Sequence, residues 1–364
     1  MITKTAANIN LRALANNFLQ IQKLMPNQKI LSMIKSNAYG HGVVPVAKIL
    51  SKTNALGVAS ISEALQLREE NINNTIIVMR GFLNEAEMQI FLNDPKIIAS
   101  VYSIAQVELL EQYLKPDQVI SIWLKIDTGM HRLGIATEDF YNIHKRLQKI
   151  QGVKKPFCLF SHLADADNLD RTFTDNQIKI FDALTNNFAG EKSLLNSAGI
   201  LAYSNHCHDW IRPGLLLYGV SPFQDKTLYH DQLKNFQPVM NLQAKIIAIK
   251  QINQFDKVGY SCTYIAQKNM RIAIIAAGYG DGYPWHAKSG TPVLIRGEFC
   301  MLVGRVSMDM LAVDISHLKL VEIGDLVTLW GEGLPVNLVA KQADTISHEL
   351  LTRMTPRVEY QYIS

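Results

Sequence analysis

Short apolar runs alternate with segments of helical periodicity over roughly the first 220 residues. The runs predict eight strands, and most of the segments between them repeat apolar residues at the i, i+3, i+4 spacing of amphipathic helices. Strands that alternate with helices form parallel sheets, and eight of them favour a closed (β/α)8 barrel over an open sheet. The short connection before the eighth strand does not by its pattern assign a helix. The predicted strands cover residues 30–35, 55–61, 75–81, 96–103, 118–127, 155–164, 192–199 and 211–220.

The pattern changes after about residue 228, where β-rich segments are separated by Gly and Asp turns. This half predicts a mostly antiparallel β domain with one late helical stretch, NLVAKQADTISHELLTRM. The fold class is therefore α/β, a TIM-type barrel over residues 8–228 followed by a C-terminal β domain over 229–364. We expect residues 1–7 to pack on the C-terminal domain. The apolar residues of the following segment predict an amphipathic helix: Leu11, Leu14, Phe18 and Ile21.

The composition narrows the class of protein. Hydrophobic residues make up 48% and charged residues 19%, and the net charge is only +4 without a basic cluster, which argues against a nucleic-acid partner. No apolar run approaches the ~18 residues that span a bilayer, and the N-terminus lacks the apolar core of a signal peptide. The four cysteines are far apart without a CxxC pair, and we predict free thiols in a reducing cytoplasm.

Polar residues follow the predicted barrel strands at the end where barrel enzymes place their active sites. The most informative is Lys35, after the run ILSMI. A lysine near such a run either caps the strand in solvent or is partly buried, and burial lowers its pKa and makes it a nucleophile for Schiff-base formation. Several further side chains converge on the same rim and favour the second interpretation: Tyr39, Lys125, Asp127, Arg132, His162, Asn196, Ser197 and Arg212.

The RPG turn at Arg212 to Gly214 predicts a close approach of the backbone to a ligand. Backbone amides near Gly214 and Leu215, together with the Ser197 hydroxyl, offer donors to a phosphate. A carbonyl cofactor that carries a phosphate and is held by a lysine imine is pyridoxal 5'-phosphate.

Nine motifs in order extend this pattern over essentially the whole chain, and through them the sequence resembles the bacterial alanine racemases. They are MIKSNAYGHG, LKIDTGMHRLG, HLADAD, NSAG, RPGLLLYG, VGYSCTY, AAGYGDGYP, GRVSMDM and the GD before a late strand. The resemblance implies a pyridoxal-phosphate enzyme that interconverts L- and D-alanine by a two-base mechanism and supplies D-alanine for cell-wall synthesis. It also implies a homodimer with shared active sites, with alanine as substrate and with neither a membrane nor a nucleic-acid partner.

By the same resemblance, Lys35 carries the cofactor as a Schiff base and acts as one base. Tyr260, in VGYSCTY, is the second base and comes from the partner subunit, and His162 contacts both Tyr260 and Arg212. Arg212 faces the pyridine nitrogen, which stays unprotonated because a guanidinium cannot accept a proton. Without the resemblance, Tyr260 would be interpreted as an aromatic strand residue that packs on a neighbour, since tyrosines are common in strands.

The remaining roles also rest on the resemblance. Arg132 hydrogen-bonds the cofactor's phenolic oxygen and lies near the substrate carboxylate, which the Met308 amide meets. Tyr279 is a gate residue from the partner. Lys125 matches a position that is carbamylated in some members, and a plain barrel lysine paired with an anion is an equal alternative. The phosphate ligands are Tyr39, Ser197, Gly214 and Leu215.

One position departs from the family pattern. His348 stands where a tyrosine commonly reaches the phosphate and narrows the entrance, and either Tyr360 or Tyr362 is a candidate replacement. The stretch NHCHDW contains two histidines that would share a strand face, but its spacing provides no third ligand, so we expect no metal. The alternatives in function are a broader amino-acid racemase, a decarboxylase of the same fold and a non-catalytic cofactor carrier. The sequence does not separate a biosynthetic from a catabolic role.

Overall fold

The computed structural model describes residues 5–223 and 228–363. The described chain begins with a strand, β1 (Ala6–Asn10), which does not belong to the barrel. A closed barrel of eight parallel strands follows, because the first of these strands also pairs with the last. The predicted barrel is thus confirmed. Its strands are β2 (Lys29–Met33), β3 (Ala55–Val58), β4 (Ile76–Val78), β5 (Ile97–Val101), β6 (Ile122–Lys125), β7 (Cys158–Phe160), β8 (Lys192–Ser193) and β9 (Trp210–Ile211).

Helices connect the barrel strands as the periodicity predicts. The N-terminal amphipathic helix buries Leu14, Phe18 and Ile21, and Asn10 caps it by accepting a hydrogen bond from the Ala13 amide. The short last connection also contains a helix, which the pattern left unassigned. The helical segments are α1 (Leu11–Leu24), α2 (Lys35–Gly40), α3 (Val43–Ile49), α4 (Ile61–Glu69), α5 (Glu85–Asn93), α6 (Ile104–Tyr113), α7 (Phe140–Lys149), α8 (Thr172–Thr185) and α9 (Ser197–Ala202).

The eighth strand was predicted over residues 211–220, and most of that prediction is wrong. β9 ends at Ile211, and Leu215–Tyr218 forms a short 3₁₀ helix instead. Pro213 has no N–H for a strand ladder, and the apolar run LLLY after Gly214 fits a buried helical turn as well as a strand. Arg212 therefore follows the last barrel strand and does not precede it.

The C-terminal half is an eight-stranded sheet in the order β13-β16-β15-β14-β17-β10-β1-β18, antiparallel except where β1 pairs with β18. The predicted antiparallel β domain is confirmed, and the late helical stretch is two helices. Residues 1–4 lie outside the described residues, and the domain boundaries remain predictions. The elements are α10 (His230–Leu233), β10 (Met240–Ile252), β11 (Lys257–Val258), β12 (Tyr264–Ile265), β13 (Met270–Ile275), β14 (Pro292–Ile295), β15 (Glu298–Leu302), β16 (Leu311–Asp314), β17 (Leu326–Trp330), α11 (Val336–Gln342), α12 (Ser347–Thr352) and β18 (Glu359–Ile363).

The C-terminal segment packs against the mouth of the barrel. A Cβ on Gly40 would lie 1.8 Å from the Leu351 carbonyl oxygen, so α12 touches the backbone that follows Lys35. The Tyr360 hydroxyl donates a hydrogen bond of 2.9 Å to the Gly40 carbonyl. The two domains therefore meet beside the first barrel strand.

The described residues contain no helix that is both long and apolar enough to cross a membrane. All four cysteines are free thiols: Cys158, Cys207, Cys262 and Cys300. In the NHCHDW stretch, His208 Nε2 lies 3.2 Å from Asp182 Oδ1, and no set of three potential metal ligands assembles within residues 5–223 and 228–363.

Candidate active site

A cavity of about 560 Å³ opens at the carboxyl ends of the barrel strands. Among the predicted site residues, Asp127, Tyr260, Tyr279 and Met308 are missing from its lining, and Asp127 instead accepts from the Gly129 and His131 amides. The predicted residues that line it are Lys35, Tyr39, Lys125, Arg132, His162, Ser197, Arg212, Gly214, Leu215 and His348.

Lys35 enters the cavity from a left-handed turn. The four residues Ser36–Tyr39 all have φ between 52° and 54°, a conformation that costs L-residues about 1–2 kcal/mol each. Hydrogen bonds from the surroundings hold the turn. The Ser36 amide donates to Glu63 Oε1 at 2.7 Å, and His41 Nδ1 donates to the Tyr39 carbonyl at 2.9 Å. Lys35 and Tyr39, at the two ends of the turn, both line the cavity.

The cavity is rich in positive charge. None of Lys35, Lys125, Arg132 and Arg212 forms a salt bridge with a carboxylate in the described ranges. Burial, and next the nearby Arg132 guanidinium, lower the pKa of Lys35 and bring the pKa of Lys125 down to about 8. Uncompensated cations in a confined space favour an anionic ligand. A neutral amine at Lys35 is the nucleophilic form for attack on a carbonyl.

Arg212 and His162 form a fixed pair. The guanidinium is 4% exposed and donates to Ser193 Oγ, to the Ser161 and Leu194 carbonyls and, at 3.3 Å, to His162 Nδ1. Since arginine only donates, His162 Nδ1 must be unprotonated, and its proton resides on Nε2. Burial and the Arg212 charge hold the pKa of His162 well below its usual range. Arg212 Nε–H has no acceptor among the described residues and remains available to a ligand.

A set of buried donors lies beside this pair. Ser197 Oγ accepts from the Gly214 amide at 2.9 Å and keeps its own hydrogen to donate. The Leu215 and Ala198 amides and the Tyr39 hydroxyl donate to no acceptor in the described structure, and all of them line the cavity. A Cβ on Gly214 would lie 2.4 Å from the Tyr39 hydroxyl oxygen, so only glycine leaves this space open. Unpaired buried donors beside a concentration of cations fit a phosphate.

Tyr260, Tyr279 and Met308 lie on the C-terminal domain with exposed side chains, at 71%, 37% and 52% respectively. Their loops contact one another. The Tyr279 amide donates to the Ser307 carbonyl at 3.1 Å, and Arg305 Nη1 donates to Ser261 Oγ at 3.4 Å. The Met308 amide has no acceptor among the described residues. These three side chains form a second, exposed group outside the barrel cavity of their own chain.

His348 lies in the cavity, with its ring centroid 5.8 Å from that of Tyr39. Burial and, after it, the Lys35 charge lower the pKa of His348. Neither of the candidate replacements lines the cavity. The Tyr360 hydroxyl donates a hydrogen bond to the Gly40 carbonyl, and the Tyr362 hydroxyl lies against Gly42. The suggestion that one of them takes the place of the tyrosine missing at 348 was wrong.

Sequence reasoning missed the polar side chains that hold the cavity walls. Ser193 orients Arg212, and Thr128, Ser161 and Gln177 form a buried network in which Gln177 Nε2 donates to the His162 carbonyl at 3.1 Å. Ser161 and Thr128 lie just after barrel strands, and this position in the sequence could have identified them as candidates. Gln177 lies inside helix α8, and no motif marks it.

The chain is similar to known proteins over its whole length. The family model for the alanine racemase N-terminal domain matches residues 9–222, and that for the C-terminal domain matches residues 239–362. An alanine racemase of Coxiella burnetii (strain RSA 331 / Henzerling II) is 50% identical over 361 residues, which cover 99% of both chains. The crystal structure of a biosynthetic alanine racemase from Pseudomonas aeruginosa superposes with a TM-score of 0.93 at 34% identity, over all of both chains.

A further solved structure bears on the cavity. The alanine racemase from Bartonella henselae, with covalently bound pyridoxal phosphate, superposes with a TM-score of 0.88 at 27% identity and full coverage of both chains. The lysine, the free phosphate donors and the cations described above form one pocket in a fold shared with these proteins. On the family models and the full-length identity, this chain belongs to the alanine racemase family.

Proposed function

We propose that this protein interconverts L-alanine and D-alanine with pyridoxal 5'-phosphate as cofactor, in sites shared between two copies of the chain. The observation that carries the proposal is the cavity itself, where a lysine of lowered pKa faces unpaired phosphate donors and uncompensated cations. Pyridoxal phosphate, when bound, supplies an electron-withdrawing ring that acidifies the Cα–H of an amino acid joined to it.

Lys35 holds the cofactor covalently and then, as a free amine, moves a proton at one face of the substrate Cα. Its lowered pKa suits this task, because a neutral amine is both the nucleophile and the base. The Leu215 and Ala198 amides and the Tyr39 and Ser197 hydroxyls would hold the cofactor's phosphate. These donors lie on elements fixed by the barrel, so the cofactor is oriented before substrate arrives.

Arg212 contributes because its guanidinium donates hydrogen bonds but does not exchange a proton. Its free Nε–H would donate a hydrogen bond to the cofactor's pyridine nitrogen, but a guanidinium would neither transfer a full proton to it nor accept one from it. Arg212 would thereby keep this nitrogen neutral, which would limit the negative charge that the bound ring withdraws and favour return of the proton to Cα. His162 stays neutral beside Arg212, since the hydrogen bond at Nδ1 fixes its tautomer.

Racemisation needs a second proton-transferring group at the opposite face of Cα. Tyr260 of the partner subunit supplies it, because Tyr260 is exposed and lies outside the cavity of its own chain. The partner's Tyr279 and Met308 come with it, and the unpaired Met308 amide binds the substrate carboxylate together with Arg132. The homodimer thus joins the two groups of site residues.

The decisive experiment is a chiral assay of the purified protein loaded with pyridoxal phosphate, using L-alanine, L-serine and L-lysine. D-Alanine from L-alanine, with the other two substrates turned over at least tenfold more slowly (about 1.4 kcal/mol), supports the proposal. Comparable rates on all three would show a broader racemase, and release of carbon dioxide would show a decarboxylase. The free cysteines support a cytoplasmic location.

A further inference from the structure

The two exposed loops that carry Tyr279 and Met308 are tied together by one residue outside both of them. Arg357, just before β18, places Nη1 2.7 Å from Asp309 Oδ1 and Nε 3.3 Å from Asp281 Oδ1. Asp309 directly follows Met308, and Asp281 lies two residues after Tyr279. One guanidinium therefore connects the two loops at the positions next to their site residues.

The backbone beneath Arg357 is built for this approach. A Cβ on Gly280 would lie 2.5 Å from Arg357 Nη1 and 2.9 Å from the Met308 carbonyl oxygen, so only glycine leaves room for both. The Gly280 amide donates to that same Met308 carbonyl at 2.8 Å. The Thr355 hydroxyl donates to the Gly280 carbonyl at 2.7 Å. The peptide unit around Met308 is thereby held on its carbonyl side, while the amides of Met308 and Asp309 remain without acceptors in the described residues.

The three charged side chains of the bridge differ in their exposure to solvent. Asp281 is 5% exposed, and its other oxygen accepts from the Gly278 amide at 2.9 Å, so this carboxylate is a fixed point. Asp309 and Arg357 are about half exposed, and an exposed ion pair adds little to the free energy of unfolding. The Arg357–Asp309 contact therefore adds little to the free energy of unfolding, while the buried Asp281 anchors the guanidinium between the two loops.

We propose that Arg357 is a positioning residue for substrate binding, which sets the Met308 amide at the place where it meets the substrate carboxylate in the partner's cavity. This inference rests on the proposed function, since it assumes that alanine is bound there. Arg357 touches neither substrate nor cofactor and acts through Asp309 and the Met308 loop. Loss of the bridge allows the loop to move, so the carboxylate contact weakens while the proton-transferring groups stay in place.

The test compares Arg357→Met with Arg357→Lys and with a control, Arg353→Met. Arg353 lies on the same segment, but its side chain pairs with Glu349 and not with either loop. We expect KM for alanine to rise roughly tenfold in Arg357→Met with kcat changed less than threefold, a partial rescue in Arg357→Lys and no change in the control. Propionate, which is alanine without its amine, should lose inhibitory affinity by the same factor, because it needs the same carboxylate contact.

Asp309→Asn keeps the proposal testable even if Arg357→Met folds poorly. It should raise KM in the same direction, and the double variant should be no worse than Arg357→Met alone, since both remove one bridge. Unchanged KM and unchanged propionate inhibition in Arg357→Met or, failing its folding, in Asp309→Asn would overturn the inference. Equal losses in Arg353→Met would do the same. A parent enzyme without racemase activity would instead overturn the proposed function.

Discussion

In the barrel cavity, Lys125 and Arg212 are almost fully buried and crowded by like charge, whereas on the C-terminal domain Tyr260 and Met308 stand exposed to solvent. The cations of the barrel cavity form no salt bridge with a carboxylate of the described residues. Tyr260 and Met308 line no part of this cavity in their own chain. This difference is what the proposed shared site requires, in which the barrel would fix the cofactor and the partner's loops would bring the opposite face.

The strongest test of the difference between the two regions is to inactivate the barrel cavity in one chain and the Tyr260 region in the other. Lys35→Ala and Tyr260→Phe should each lose activity by about 10²–10⁴-fold, the usual contribution of a proton-transferring group. Co-expressed as two tagged chains and selected as hybrids through both tags, they should recover about half of parental activity, because each hybrid has one intact site out of two. The measurement is racemase activity after purification through both tags.

A matched control replaces the Tyr260→Phe chain by the double variant Lys35→Ala/Tyr260→Phe. Its hybrids contain no intact site, and no activity should return. If the hybrids of the two single variants form and are as inactive as the control, both proton-transferring groups act within one chain and the contrast between the regions has no functional meaning.

The second prediction sharpens the charge difference. In the cofactor-free protein Lys125→Met should raise the melting temperature by a few degrees at pH 7, because the native state no longer holds a cation among cations. The pKa of Lys125 is about 8 in the folded chain against an ordinary 10.5, which bounds the gain at about 3 kcal/mol. Below pH 8 the folded chain bears the full cost of the charged amine, and the cost falls as pH rises from 8 to 10.5.

The gain from Lys125→Met should accordingly shrink between pH 8 and pH 10.5 in thermal melts. Arg305→Met, which removes an exposed cation from the C-terminal face, should leave the melting temperature unchanged. A lower melting temperature in Lys125→Met would contradict the assignment and point to an anionic form of this side chain.

A third prediction concerns reactivity in the cavity. After burial, Arg132 is the largest cause of the lowered pKa of Lys35, so Arg132→Ala should raise that pKa. Because only the neutral amine attacks a carbonyl, the pH midpoint for Schiff-base formation with pyridoxal phosphate should move to higher pH. Absorbance titration of the cofactor-free protein measures the midpoint. Arg305→Met is again the control, and a midpoint that stays in place in Arg132→Ala would show that Arg132 does not act on Lys35.

The smallest expected effect probes the exposed region. Cys262, two residues after Tyr260, is exposed in the single chain, whereas Cys207 is half-buried and lies on the barrel. If a partner covers the Tyr260 loop, alkylation of Cys262 by iodoacetamide should slow severalfold as protein concentration rises through the dimer range, while Cys207 is unaffected. Mass spectrometry of the labelled peptides gives both rates, and a concentration-independent rate at Cys262 would place this loop away from the interface.

The sequence predicted most of the barrel residues that line the cavity, because strand ends converge at one rim whatever the details of the loops. It failed at residues 215–220, since the apolar run LLLYG fits a strand and a buried helical turn equally. The sequence also did not predict the left-handed turn at Ser36–Tyr39, because no glycine before Gly40 indicates positive φ there. Tyr260 was identified through family resemblance alone, and the bridge from Arg357 to Asp281 and Asp309 joins segments too far apart in sequence for any local pattern to reveal.

The placement of β1 has a consequence for the order in which the molecule is made. β1 is synthesised before the barrel, but both of its neighbours, β10 and β18, are synthesised after it. The barrel strands are complete by Ile211, so the barrel is free to fold on the ribosome while β1 still waits for its partners. Only after synthesis passes Glu359 can Tyr360 reach the Gly40 carbonyl beside Lys35. Maturation of the cofactor pocket is thereby coupled to the arrival of a strand whose Tyr360 lies 320 residues downstream of Gly40.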